Sequence, residues 1–195
     1  DSDNDLFPNY LEVMIKNVTK TNKVIFAIAR GKRTQELYEN GKLSDFIDDS
    51  KDYPNKLTVK DIGLRTHHFD INGFMHSRKI IDLGIRFDEQ TRGLEDWDFS
   101  LQIGEKFPNG FVYVNQPLFH YHQRYGIPSI VSNATYEDWA NSFERIYQRH
   151  KKSKILKGQK WYPNRVEKYK KLQSEFEAGK IPPQQYMVFL NKKAR

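Results

Sequence analysis

The segment from Gly93 to Gly126 constrains this chain more than any other. It opens Gly93-Leu-Glu-Asp-Trp-Asp-Phe99 and ends Leu118-Phe-His-Tyr-His-Gln-Arg-Tyr-Gly126. Glu95, Asp96 and Asp98 crowd the start of a predicted helix, and Phe99, Leu101, Ile103 and Phe107 give that helix a face to bury. Asn109-Gly110 then turns the chain into two short aromatic and β-branched runs, 111–114 and 118–122. Side chains two apart on a strand share a face, so His120 and His122 point the same way. The acids at the helix start and the histidines at the strand end are expected to converge on one rim.

A chain of 195 residues, 37% apolar, 14% aromatic and 29% charged, suits one soluble domain with a real core, or one domain and a tail. No apolar run is long enough to span a bilayer. The absence of cysteine excludes disulfides and thiol chemistry and fits a reducing compartment, so the expected location is the cytoplasm. The chain opens at Asp1, inside what reads as a motif, and the expectation is a fragment of a longer protein. The net charge of +7 is uneven: residues 145–195 hold 15 Lys+Arg against 3 Asp+Glu, and residues 1–144 hold 17 against 22. A basic tail suits an anionic partner, although Lys-rich solvated helix faces are common.

Pro8 suits the first turn of a helix in which Tyr10, Leu11, Met14, Ile15 and Val18 keep helical spacing. Lys23–Ala29 is a continuous apolar run, the mark of a strand buried on both faces. Residues 31–60 read as a long loop with a helical patch near Thr34–Tyr38, and Thr66–Met75 as a strand reaching a turn at Asn72-Gly73. Ser77 caps a short helix with Ile80, Ile81 and Leu83, ended by Gly84. A helix from Thr135 to about His150 opens on a Thr135/Asp138 capping box and buries Trp139, Phe143, Ile146 and Tyr147. After a basic linker, 151–160, a second helix runs from Asn164 to Ala178.

Asp1-Ser-Asp3 offers two carboxylates one residue apart, which can hold a hard divalent cation that also grips phosphate. Taken alone, such acids are more often dipole-favoured caps. The crowded Glu95-Asp96 pair has the same bland reading beside a functional one: neighbouring carboxylates raise each other's proton affinity toward the range of a general base. His120 and His122 suit neutral imidazole ligands or strand residues with backbone partners. His67 and His68 read as structural or surface residues.

In order, these parts are more specific than any one of them: acidic motif, Pro-Asn-Tyr-Leu-Glu, strand, Asn-Gly-Phe turn with helix, Phe-Asp-Glu, Gly-Leu-Glu-Asp-Trp-Asp-Phe, Gly turn, and a strand ending in His. Over roughly residues 1–130 the chain resembles the second half of a family-2, inverting glycosyltransferase of GT-A fold. The resemblance implies an α/β class: a partial GT-A, Rossmann-like nucleotide-diphospho-sugar transferase domain over 1–130, with a helical, basic C-terminal extension over 131–195. It places Asp1 and Asp3 at the family's Asp-X-Asp metal motif, with a divalent cation, Mn²⁺ or Mg²⁺, as cofactor. It places Asn72, Gly73 and Phe74 at the turn beside donor and acceptor, and Glu95 and Asp96 at the Glu-Asp pair, whose Asp is the base. His120 or His122 falls where the family often has a further metal ligand. The units that bind the nucleotide base should precede Asp1, so this chain alone is expected to lack most of the donor pocket.

The implied activity is transfer of a hexosyl group, with inversion, from a nucleotide-sugar donor to a hydroxyl of a glycan, lipid-linked or polysaccharide acceptor. Trp97, or Phe119, Tyr121 and Tyr125, would stack on a sugar, although such aromatics are more often core or site wall, and Arg124 would meet the diphosphate. The tail, 145–195, would hold the enzyme peripherally at an anionic membrane surface. Two competing readings are a catalytically inactive transferase-like scaffold and a nucleic-acid-binding module using the basic tail. The tail lacks the basic–aromatic interleaving of single-strand binders, so nucleic acid is not the expected partner.

Overall fold

Alternation along the apolar run organises the protein. The computed structural model describes residues 4–48, 54–64, 70–127, 134–155 and 161–181. Strand β2 takes in the run and extends far beyond it; β1 is Asp5–Leu6 and β2 Phe26–Glu39. Phe26 and Ile28 enter one buried cluster, while Ala27 and Ala29 enter a second. Successive strand residues face opposite sides, so the sheet is covered on both, as the unbroken apolar run requires. On the alanine side, Tyr10 and Met14 of helix α1 (Tyr10–Val18) close the core. The other side is covered by α2 (Val59–Leu64), α3 (Lys79–Asp82), α4 (Glu95–Lys106), α5 (Tyr136–His150) and α6 (Trp161–Glu177). The result is a mixed α/β fold.

Strand β5 (Phe111–Tyr125) lies parallel to β2 along nearly its whole length, and β1 pairs antiparallel with the outer edge of β5. The far side of β2 is shared: β4 (Phe74–His76) pairs with its start and β3 (Lys42–Asp48) with its end, both antiparallel. The two runs expected at 111–114 and 118–122 are thus one strand. Its register slips between Ala29↔Val114 and Gly31↔Phe119, and Pro117, which has no N–H for a ladder, sits at the slip.

The long loop expected over 31–60 is instead mostly a hairpin. Asn40 and Gly41 both adopt positive φ, 52° and 75°, the turn chemistry that joins two strands through two residues. Among the described residues at and after the strand expected at Thr66–Met75, 71–73 form a 3₁₀ turn and Phe74–His76 is strand, while His67 and His68 lie outside the described residues. The capping box holds: Thr135 Oγ1 accepts from Asp138 N at 3.0 Å, and Asp138 Oδ2 accepts from Thr135 N at 2.9 Å. Phe143, Ile146 and Val166, of the expected C-terminal extension, share a buried cluster with Phe26 and Trp97. Among the described residues, no helix is long and apolar enough to cross a membrane.

Helices α4 and α5 are joined by buried charge. Asp98 is fully buried, takes a hydrogen bond from Arg149, and lies 2.9 Å from His150 Nε2. His150 Nδ1 lies 2.8 Å from Glu105, and Asp88 is paired with both Arg145 and Arg149. Arg145, Arg149 and His150, the start of the basic tail, are therefore engaged by acids of the same chain. Burial pulls the His150 pKa down, but hydrogen bonding to Asp98 and Glu105 outweighs it and leaves the value raised. A raised histidine contributes stability in full below its unfolded value of about 6.5 and loses it as pH rises through the folded value. Asp98→Ala is expected to lower unfolding free energy in urea by about 3–5 kcal/mol, because Arg149 and His150 lose a buried partner. The deficit should narrow, without closing, as pH rises through the His150 titration.

Candidate functional site

Helix geometry separates the three acids at the start of α4. Asp98 faces α5, and Trp97 is fully buried, its Nε1 donating to the Ile62 carbonyl at 2.5 Å. Asp96, two positions before Asp98 and so roughly 200° away around the helix, faces elsewhere. Its carboxyl has Glu95 and Asp70 as neighbouring charges and accepts from Trp97 N at 2.6 Å. Burial first, then Glu95 and Asp70, push the Asp96 pKa well above the carboxylate range, against the opposing pull of backbone N–H groups at the helix start. The entry to α4 is fixed from two sides. Gly93, at φ 86°, donates to Glu95 Oε2 at 2.9 Å, and Ser142 of α5 bonds both the N–H and the carbonyl of Arg92.

Asp70 was not among the residues singled out by sequence. It initiates the turn before β4, its Oδ1 accepting from Asn72 N at 2.9 Å and from Asn72 Nδ2 at 2.6 Å. Asp70-x-Asn72 is an Asx-type turn signature, and that was the available signal. Asn72 thus holds Asp70, the neighbour of Asp96. Gly73 packs where a Cβ would stand 2.8 Å from the Phe119 ring and 3.1 Å from the Ala29 carbonyl, so only glycine fits. Phe74 turns toward the core, edge-on to Phe26 at 5.1 Å, and its carbonyl accepts from Tyr10 Oη at 3.0 Å.

The histidine pair forms a second group. The His120 and His122 rings lie 3.9 Å apart, on one face of β5 as their spacing required. His122 Nδ1 is 2.6 Å from Glu36 Oε1 and its Nε2 is 3.3 Å from Asp5 Oδ2. Thr34 Oγ1 donates to Glu36 at 3.0 Å and lies 3.3 Å from His120 Nε2, while Tyr38 Oη donates to Glu36 Oε2 at 3.0 Å. Asn4 Oδ1 accepts from His122 N at 2.9 Å, which fastens β1 at this position. Burial raises the Glu36 pKa, but hydrogen bonds from His122, Tyr38 and Thr34 outweigh it and the net shift is downward. Burial, then the neighbouring His122, lowers the His120 pKa. Ligand atoms of Asp5, His120 and His122 all lie within 4.8 Å of one another. Two imidazoles and a carboxylate are a donor set suited to a first-row divalent ion, so of Mn²⁺ and Mg²⁺ they suit the former better.

The expected residues therefore fall into several places. Glu95 and Asp96 join Asp70, and His120 and His122 join Asp5 and Glu36. Asp1 and Asp3 lie outside the described residues. Of the two readings of Trp97, the structure shows core and not a sugar platform, because position 97 shares the inward helix face with Leu101. Tyr125 and Phe119 are likewise buried. Arg124, expected at a diphosphate, has its Nε 3.5 Å from Glu36. Gly73, next to Asn72 of the first group, packs against Phe119, which precedes His120 of the second in β5. Compared with known protein families, curated proteins and solved structures, the chain matches none.

A raised Asp96 pKa means that folding favours the neutral acid, so stability falls as pH rises from the unfolded value to the folded one and stays lowered above it. Asp96→Asn keeps the acceptor for Trp97 N and removes that cost. Its urea midpoint is expected to exceed that of the wild type at pH 8, with the difference vanishing below about pH 4, near the unfolded value.

Proposed function

We propose that the chain carries the catalytic acids of an inverting, GT-A-type glycosyltransferase that moves a sugar from a nucleotide-activated donor to a hydroxyl acceptor. The observation that carries this reading is the environment of Asp96. A desolvated carboxyl with Glu95 and Asp70 at its side, held by the first turn of α4, has the raised proton affinity that a general base uses near neutral pH. The turn that holds Asp70 is the Asn72-Gly73-Phe74 element that the resemblance puts beside donor and acceptor.

In this reading Asp96 removes the acceptor proton as the acceptor oxygen bonds to the anomeric carbon. The bond from that carbon to the diphosphate oxygen breaks on the opposite face, so the centre inverts and the diphosphate leaves with the electron pair. Glu95, tied to Gly93 N, and Asp70, tied to Asn72, hold negative charge beside Asp96 and keep its basicity high. Asp5, His120 and His122 are the described residues that would hold a divalent cation, with Asp1 and Asp3 shortly before Asp5 in sequence. The chemistry such an ion supplies is neutralisation of charge on the departing diphosphate.

The test is release of nucleoside diphosphate and transfer by the complete open reading frame, over a panel of nucleotide sugars with and without Mn²⁺. Asp96→Asn should lower kcat by about 10²–10⁴-fold, the range for losing a positioned base. The wild-type rate should climb with pH along a limb that titrates above the ordinary carboxylate range. Turnover unchanged in Asp96→Asn would remove the base assignment, and a folded protein that binds no nucleotide would remove the transferase reading.

A further inference from the structure

We infer that Glu36 is a positioning residue that fixes the His122 tautomer and so makes Asp5, His120 and His122 a cation site selective for nitrogen-seeking first-row metals. The inference shares the cation and its three ligands with the transferase reading but not the Asp96 base on which that reading rests, so the two fail separately. Glu36 comes from β2 and His122 from β5, in the parallel stretch where Thr34 is in register with His122 and Glu36 with Arg124. The Glu36 side chain is 11% exposed and that of His122 18%, so their 2.6 Å hydrogen bond is largely shielded from water.

A carboxylate can only accept, so Nδ1 of a neutral His122 carries the proton and Nε2 keeps its lone pair. That lone pair is on the side of Asp5, 3.3 Å away. Two donors each about 2.0–2.1 Å from one tetrahedral ion would stand about 3.3 Å apart. A carboxylate behind a ligating imidazole is the usual arrangement at protein metal centres, where it orients the ring and raises its basicity. Glu36 is itself held, by the Thr34 and Tyr38 hydroxyls and by Arg124, so the ring it orients has little freedom. Asp5 reaches the site because β1 pairs Asp5 with His120 and Asn4 bonds the His122 backbone. The donors thus come from two paired strands, Asp5 from β1 and His120 and His122 from β5.

The experiment uses the full chain, labelled with ¹⁵N-histidine, in long-range ¹H–¹⁵N spectra at alkaline pH, and calorimetric titration with Zn²⁺ and with Mg²⁺. The metal-free wild type should show His122 protonated at Nδ1, and Zn²⁺ should shift Nε2 and bind far more tightly than Mg²⁺. Glu36→Leu should release the tautomer and weaken Zn²⁺ binding about 10–100-fold. Glu36→Gln, whose carbonyl still accepts from Nδ1–H, should keep the tautomer and lose less. A wild-type His122 protonated at Nε2, Zn²⁺ binding within twofold of wild type in a folded Glu36→Leu, or no preference for Zn²⁺ over Mg²⁺ would each overturn the inference. Should Glu36→Leu fail to fold, the wild-type tautomer and the Glu36→Gln affinity decide the matter.

Discussion

A single buried carboxylate sets the geometry on which the candidate site depends. Asp98 is fully enclosed, and a charge there is tolerable only because Arg149 and His150 of α5 meet it. That contact fixes α4 about its own axis. With Asp98 turned to α5, Trp97 must enter the core and Asp96 must face Asp70, because each step along the helix turns about 100°. The same α5 supplies Ser142, which clasps Arg92 just before the helix begins. The helical region beyond residue 130 is therefore a structural part of the site, even though no residue of it was expected there.

Much of this was legible from residue patterns because local periodicity reports burial. The run at 23–29, the capping box at Thr135 and the shared face of His120 and His122 were all readable, since each needs only a spacing rule and one neighbour. Three site residues were not found in that way: Asp5, Glu36 and Asp70. Asp5 looked like one more acid in an acidic opening. Glu36 was lost when 31–60 was read as loop, although Asn40-Gly41 between alternating segments is a hairpin signal, and accepting it would have put Thr34, Glu36 and Tyr38 on one strand face. Asp70 acts on Asp96 from 26 positions earlier in the chain, and no spacing rule reaches that far. The same limit explains Trp97, whose inward turn follows from the Asp98 partners on α5.

The carboxylates of this protein divide by environment, and the division bears on chemistry. Asp88 is held down to about 2, first by the Arg145 hydrogen bond. Glu36 is lowered because three donors together overcome its burial. Each stays ionised through the physiological range and serves as a fixed anion, one binding α5 to the loop before α4, the other orienting His122. Asp96 has burial and two like charges against it, with backbone N–H groups alone on the other side, so its proton affinity rises. A carboxylate paired with cations or several donors cannot take up a proton near neutral pH, whereas one crowded by other acids can. The chain thus keeps its anchoring anions apart from the acid whose proton affinity is raised, and it does so within one short helix: Asp98, two residues beyond Asp96, pairs with Arg149 and His150. Moving the cationic partners of Asp98 to Asp96 would leave Asp98 buried without its pair and would also lower the proton affinity of Asp96. The stability of α4 and the raised proton affinity at its first turn therefore depend on the same helix rotation.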